Sequence, residues 1–366
     1  MRVARIALSV MLLLALSGSD LRAQAEGKRK VTSPAFKDHG SGFEKTRASV
    51  MAGLEVSGGI SAGWFFTSRP GAGFCSSGWL LSNLLVEISP KDKTAPLIFT
   101  AAFGETSTPS LIDSPENTNE LHIEYAFLTV TPVVGLTAEV GLLEPITGCE
   151  NTYTFRNKNA FLGAVASQQP YNAYGGRIGY ASKKTSLHAG YYQDRLDREE
   201  YRTGDSAPGN SWELGLSGSI GGTDASVYYY HVEKTRSLTC MVIERTVGAF
   251  DLALNVDYWK RDVGMKSSHG DDHAVGGALY VVPHFGRFSL PLRLEYVDQG
   301  NSGLYLGGVS ANRVYTATLS PTYRIRDNAY VRADAGYARA KNGFMDDDGH
   351  VKSDRVCLAV EIAYTL

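Results

Sequence analysis

Long apolar runs are scarce in this 366-residue sequence. Beyond residue 25, no stretch approaches the ~20 consecutive apolar residues that a membrane-spanning helix needs. A helical membrane protein is therefore excluded. An excess of one charge is also missing. Lys and Arg number 36 against 38 Asp and Glu, which gives a nucleic acid no basic face to bind. Cysteine is rare, at four residues: Cys75, Cys149, Cys240 and Cys357. They form no C-x-x-C pair and no zinc-type Cys/His spacing, which argues against a structural metal. No Ser/His/Asp constellation stands out, and His122, His188 and His231 stand singly in strand-like runs. Neither an enzyme nor a cofactor is indicated.

What the sequence does have is glycine, at 39 residues, and tyrosine, at 20. Valine, tyrosine, threonine and serine fill short runs broken by Gly, Asn, Asp and Pro, which is an all-β vocabulary. The first 25 residues read as a secretory signal, with basic Arg2 and Arg5, the apolar run 6–16 and AQA at 23–25. A polar, mostly basic leader is expected over 26–51. From residue 52 to 366 apolar and polar residues alternate. In AGLEVSGGISAGWFF (52–66), Leu54, Val56, Ile60, Ala62, Trp64 and Phe66 share one face, and Glu55 and Ser57 lie on the other. The pattern recurs in about 16 runs. The connections between runs alternate between short and long.

Segregated loop lengths and runs of ~9–11 residues predict a single closed antiparallel transmembrane β-barrel. Lipid cannot hydrogen-bond an open sheet edge, so the sheet must close. About 16 strands are expected, with 14 to 18 the range, short periplasmic turns at one end and long extracellular loops at the other. A soluble sandwich is the alternative, because alternation alone does not say which face is inside. Two features favour polar-in. The polar face carries isolated charges and few lysines, and aromatic residues cluster near strand ends. Trp64, Phe66, Tyr258, Tyr296, Tyr323, Tyr337 and Tyr364 would form girdles at the lipid boundary.

On this reading the inward acids are Glu55, Glu124, Glu139, Glu213, Asp251, Asp257, Glu295, Asp334 and Glu361. The inward bases are Arg177, Arg293, Arg324 and Arg332. Four bases against nine acids predict a weak preference for cations, unless the charges only pair across strands and hold the wall's shape. Two acid–His clusters fall in loops: HGDDH, with His269, Asp271, Asp272 and His273, and DDDGH, with Asp346, Asp347, Asp348 and His350. They are solvated loop tips or weak divalent-ion ligands near lipopolysaccharide headgroups. Cys75 and Cys149 both fall in long loops and could form a disulfide. The 144–170 loop is long enough to fold into the lumen.

The segment 141–194 resembles the beta-barrel porin-2 (OmpL-like) family. The resemblance rests on the turn Gly141–Glu150, on FRNKNAFL (155–162), and on PYNAYGGRIGY (170–180) entering a Gly-Arg strand. The layout fits over about 52–366. Cys149 and the plain FRNKN depart from the family pattern. The resemblance implies a bacterial outer-membrane pore for small polar solutes or ions. The alternative is a non-conducting barrel used as an adhesin or structural anchor. Partners expected of such a protein are outer-membrane lipid, lipopolysaccharide, the barrel-assembly machinery and, for a trimer, two further copies. The terminal strand RVCLAVEIAYTL (355–366) places Glu361 in the lumen, and Leu366 stands where phenylalanine is usual.

Overall fold

The computed structural model describes residues 53–68, 77–92, 95–107, 109–112, 121–144, 146–170, 172–193, 210–233, 235–262, 272–300, 312–345 and 351–366. Most of them are strand. The segments are β1 (Leu54–Thr67), β2 (Ser77–Pro90), β3 (Leu97–Thr106), β4 (His122–Val133), β5 (Leu136–Leu143) and β6 (Ala173–Ala181). They continue with β7 (Thr185–Gln193), β8 (Asn210–Ile220), β9 (Thr223–Val232), β10 (Arg236–Val247), β11 (Phe250–Arg261) and β12 (His273–Phe285). The last are β13 (Phe288–Ser289), β14 (Leu292–Asp298), β15 (Arg313–Leu319), β16 (Thr322–Arg326), β17 (Ala329–Met345) and β18 (Val351–Thr365).

Apart from β13–β14 and β15–β16, each strand pairs antiparallel with its neighbour in the chain, and β18 returns to pair with β1, so the sheet closes. Eighteen segments make sixteen staves. β13 and β14 are one stave broken at Pro291, and both pair with β12. β15 and β16 are one stave broken at Pro321, and both pair with β17. Proline has no N–H for the ladder, so the regular pairing lapses there without opening the wall.

Short connections gather at one end, and the exception is the three-residue link 233–235 between β9 and β10 at the other end. Val134–Gly135, Gly221–Gly222, Gly248–Ala249, Gly286–Arg287 and Asp327–Asn328 are two-residue turns. Gly221 (φ 59°) and Gly222 (φ 79°) both take the left-handed conformation that a tight hairpin turn demands. Two strands run longer than the sequence pattern suggests. β17 extends to Met345 and β18 starts at Val351, which leaves only 346–350 between them. Pairing resumes there after a register shift between Arg339 and Phe344.

The sense of the wall is polar-in. Ile60, Val140, Ile178, Leu216, Val360 and Ile362 are exposed on the outside, whereas Arg293, Arg332, Asp257 and Glu361 are at most 2% exposed. A water-soluble protein has the reverse distribution. The alternation is not continuous on β4. Glu124 is the extra residue at an irregularity in the β3–β4 pairing, where Ala102 faces Tyr125 and Phe103 faces Ile123. Such a bulge switches the strand's faces. Glu124, Tyr125 and Phe127 are accordingly all buried, and Leu128 and Val130 are exposed.

Candidate functional site: the lumen and its inward loop

The inner wall is crossed by the segment that joins β5 to β6. Its residues 144–170 bond to inward side chains around much of the barrel. The Cys149 N–H donates to Asn255 on β11 (3.2 Å), and the Gln169 amide donates to Asp257 on the same strand (3.0 Å). The Gly163 N–H donates to Glu150 within the loop (2.7 Å), and the Val165 N–H to Glu295 on β14 (3.0 Å). The Ala160 N–H reaches Asp334 on β17 (2.6 Å). Thr154 reaches Asn83 on β2 (2.7 Å) and Glu361 on β18 (2.6 Å). Asn159 donates to Ser320 at the break between β15 and β16 (2.6 Å). A buried backbone with this many unpaired amides and carbonyls needs partners, and the wall's carboxylates and guanidiniums supply them.

Apolar packing completes the seat. Phe161 meets Phe65 edge to face at 5.9 Å, and Tyr153, Phe155, Leu111 and Ile112 join the same buried cluster. Leu111 and Ile112 come from residues 109–112, which run beside the loop through a bridge between Ser110 and Leu162. A cavity of about 50 Å³ remains, bordered by Glu144, Thr147, Glu150, Asn151 and Gln169. That is room for roughly one or two waters.

Three inward arginines each lie between two carboxylates. Arg177 on β6 pairs with Glu139 on β5 (2.6 Å) and lies 3.8 Å from Glu213 on β8. Arg293 on β14 pairs with Glu150 of the loop and with Glu295 (3.2 Å). Arg332 on β17 pairs with Glu361 on β18 and lies 3.7 Å from Asp334. Every one of these nine groups is strongly buried. In the loop, burial pushes the carboxyls of Glu144 and Glu150 above the usual range, opposed by Arg156 and Arg293 respectively.

The remaining expected wall charges also face inward. Asp257 is held by Gln169 and Asn255 (2.8 Å). Asp251 sits near the short-turn end of β11, bonded to His284 (2.7 Å) and Thr246 (2.8 Å). Glu124 lies 3.2 Å from His122. Glu55 is buried at the short-turn end of β1, and Arg324 is half-buried near the turn at 327–328. The seven expected girdle residues lie on the outer face. Tyr296, Tyr323, Tyr337 and Tyr364 are exposed and Trp64, Phe66 and Tyr258 half-buried. Tyr323 and Tyr364 lie toward the short turns, the other five toward the long loops.

Of the eight loop residues weighed as divalent-ion ligands, only Asp272 and His273 are among the described residues. They are exposed and 3.1 Å apart. Cys75 also lies outside the described residues, and with it the Cys75–Cys149 pairing, as do the signal segment and the leader. The sequence spells G-x-S-x-G once, at 59–63. This stretch is straight β1, not a strand-to-helix turn, and Ser61 is buried against Thr154 (2.9 Å), so it is no nucleophile elbow. Sequence reasoning missed Glu150, Thr154, Asn157, Asn159 and Gln169 on the loop and Ser61, Ser82 and Asn83 on the wall. The polar run FRNKN inside a loop otherwise rich in Phe, Leu and Ala was the available signal.

A closed sixteen-stave wall, apolar outside and charged within, with a long loop bonded into its lumen, defines an outer-membrane barrel of the porin class. Such a wall belongs to the bacterial outer membrane. The chain belongs to the family described as "Putative beta-barrel porin-2, OmpL-like", whose model matches residues 66–366. Solved structures share the fold. OmpT, an outer membrane protein of Vibrio cholerae, superposes with a TM-score of 0.60 at 12% identity, over 86% of this chain and 97% of its own. A mutant of the Rh. blastica porin does so at 0.53 and 11% identity, over 86% of this chain and all of its own. No curated protein matches this sequence significantly.

Proposed function

We propose that the barrel is a passive diffusion channel for small polar solutes or ions, weakly cation-preferring, with its throughput set by loop 144–170. One observation carries the cation preference. Arg177, Arg293 and Arg332 are each outnumbered two to one by carboxylates. Each guanidinium offsets one carboxylate of its two, and this acid excess supports a negative lumen. Excess acid in a narrow polar passage favours cations. The export signal ending near residue 25, contacts with lipopolysaccharide, insertion by the barrel-assembly machinery and a trimeric state belong to the same proposal.

A second reading is favoured by the apolar seat of the loop around Phe65, Phe161 and Leu111. If the loop never leaves it, the barrel is a closed anchor or adhesin. Planar-bilayer recording of protein whose folding is checked by heat-modifiable gel mobility separates the two. Discrete conductance steps, with a reversal potential of cationic sign in a salt gradient, are expected. Folded protein that gives no steps overturns the channel.

A further inference from the structure

Two free cysteines lie near each other where the loop crosses the wall. Cys240 faces inward on β10 and is fully buried. Its cross-strand partner is Asp257, whose carboxylate accepts the thiol's hydrogen bond. The loop arrives on the same sulphur from the other side. The Gly148 N–H is directed at it, and the Gln169 amide lies 3.9 Å away. Cys149 is the next residue. Its own N–H is fixed to Asn255, and the Asn255 amide reaches the Cys240 sulphur at 3.5 Å. Cys149 is thus tied to Cys240 through Asn255 on one side and through Gly148 on the other. Gly148 makes the approach feasible. It has φ 90°, and a Cβ there would lie 1.8 Å from the Gln169 amide oxygen. Any other residue would be strained at this φ and would displace the Gln169 amide that bonds Asp257.

We propose that Cys149 and Cys240 form a disulfide that fastens the loop to the wall. Cys149 is only partly buried and is the entry point. Its thiolate attacks the disulfide of an extracytoplasmic thiol oxidant, giving a mixed disulfide and releasing one oxidant thiol. Cys240 then attacks the Cys149 sulphur and expels the second. Two protein thiols become one S–S bond, two electrons pass to the oxidant, and the two protons leave on its thiols. An exported protein meets such oxidants. The bond would close a covalent ring running from the loop through β6 to β10, independent of whether the barrel conducts.

The experiment is peptide mapping of the full chain, purified without reductant and treated with oxidised glutathione, then alkylated and digested. A cross-linked peptide containing Cys149 and Cys240 is expected. It should disappear with dithiothreitol and in Cys240→Ala. Alkylation of both residues when the oxidised wild type is unfolded in the alkylating agent overturns the proposal, as does a cross-link from Cys149 to Cys75. Because Cys240→Ala could perturb the wall, Cys149→Ala serves as the second variant. It should leave Cys240 alkylated only after unfolding, with gel mobility of the folded barrel unchanged.

Discussion

Arg332 and Glu361 stand directly opposite each other on β17 and β18. The guanidinium that meets the Glu361 carboxylate also donates to the backbone carbonyls of Asn157 (2.9 Å) and Thr154 (3.2 Å). One side chain thus ties a wall pair to the tip of the loop. Arg332→Met should strand two buried carboxylates, Glu361 and Asp334, and release the tip. A cost of about 3–5 kcal/mol is expected for breaking a buried pair from one side. Urea unfolding in micelles would read the loss, and single-channel recording should show a higher or noisier conductance. An unchanged midpoint would mean that the pair contributes nothing.

Selectivity should follow the carboxylate excess. Glu139→Gln with Glu213→Gln turns the Arg177 group from net negative to net positive while keeping the shape of the side chains. The reversal potential in a salt gradient is expected to move toward the anionic side. Glu361→Gln with Asp334→Asn should act in the same direction on the Arg332 group. No movement in either variant would assign these acids to holding the wall alone.

Acid should tighten the loop. Glu144 is raised by burial, with further help from the like charges of Glu87 and Glu124 and against the pull of Arg156, which lies 3.8 Å away. A raised acid holds its proton more firmly in the docked loop than in a released one. Its stabilising contribution is full below the ordinary carboxyl pKa of about 4.3 and is lost as pH rises through the raised value. The low-conductance level should therefore become more populated as pH falls from neutral, and Glu144→Gln should flatten the profile. A profile with the opposite slope would contradict this linkage.

The outer face should punish charge where the inner face does not. Val360 is exposed on β18 between Trp64 of β1 and Ala333 of β17. Val360→Arg is expected to cost about 2–4 kcal/mol in a bilayer if the site lies near the midplane. Its inward neighbour, Ala359→Ser, should be tolerated far better. Folding titrations in lipid vesicles compare the two. Equal costs would remove the assignment of faces.

The wall was legible in the sequence because a strand's side-chain period is a local property. Glu361 among Val360, Ile362 and Tyr364 announces two solvents on two faces, and the structure has Glu361 buried inside and the other three exposed outside. Loop lengths likewise gave the two ends. The contents of the lumen were not legible. Thr154 bonds Asn83 and Glu361, which lie 71 and 207 positions away, and no periodicity encodes a contact across a cavity. The bulge at Glu124 was hidden for a different reason. HIEYAF alternates cleanly without a bulge, with His122, Glu124 and Ala126 on one face and Ile123, Tyr125 and Phe127 on the other, so the pattern gives no sign of an extra residue.

The closing ladder has a kinetic consequence. Every other ladder in the wall joins strands that are close in the chain, but Gly59 pairs with Thr365 and Thr67 with Cys357. The seam must bring together opposite ends of the barrel sequence, so it carries the largest loop-closure entropy of the ladders among the described residues. The staves between can zip in hairpin steps before the two edges find each other. Until they do, the growing sheet has two unpaired edges that would accept any other strand. The slow and vulnerable stage of assembly is therefore the last one, and β1 and β18 are where a mispaired or domain-swapped barrel would originate.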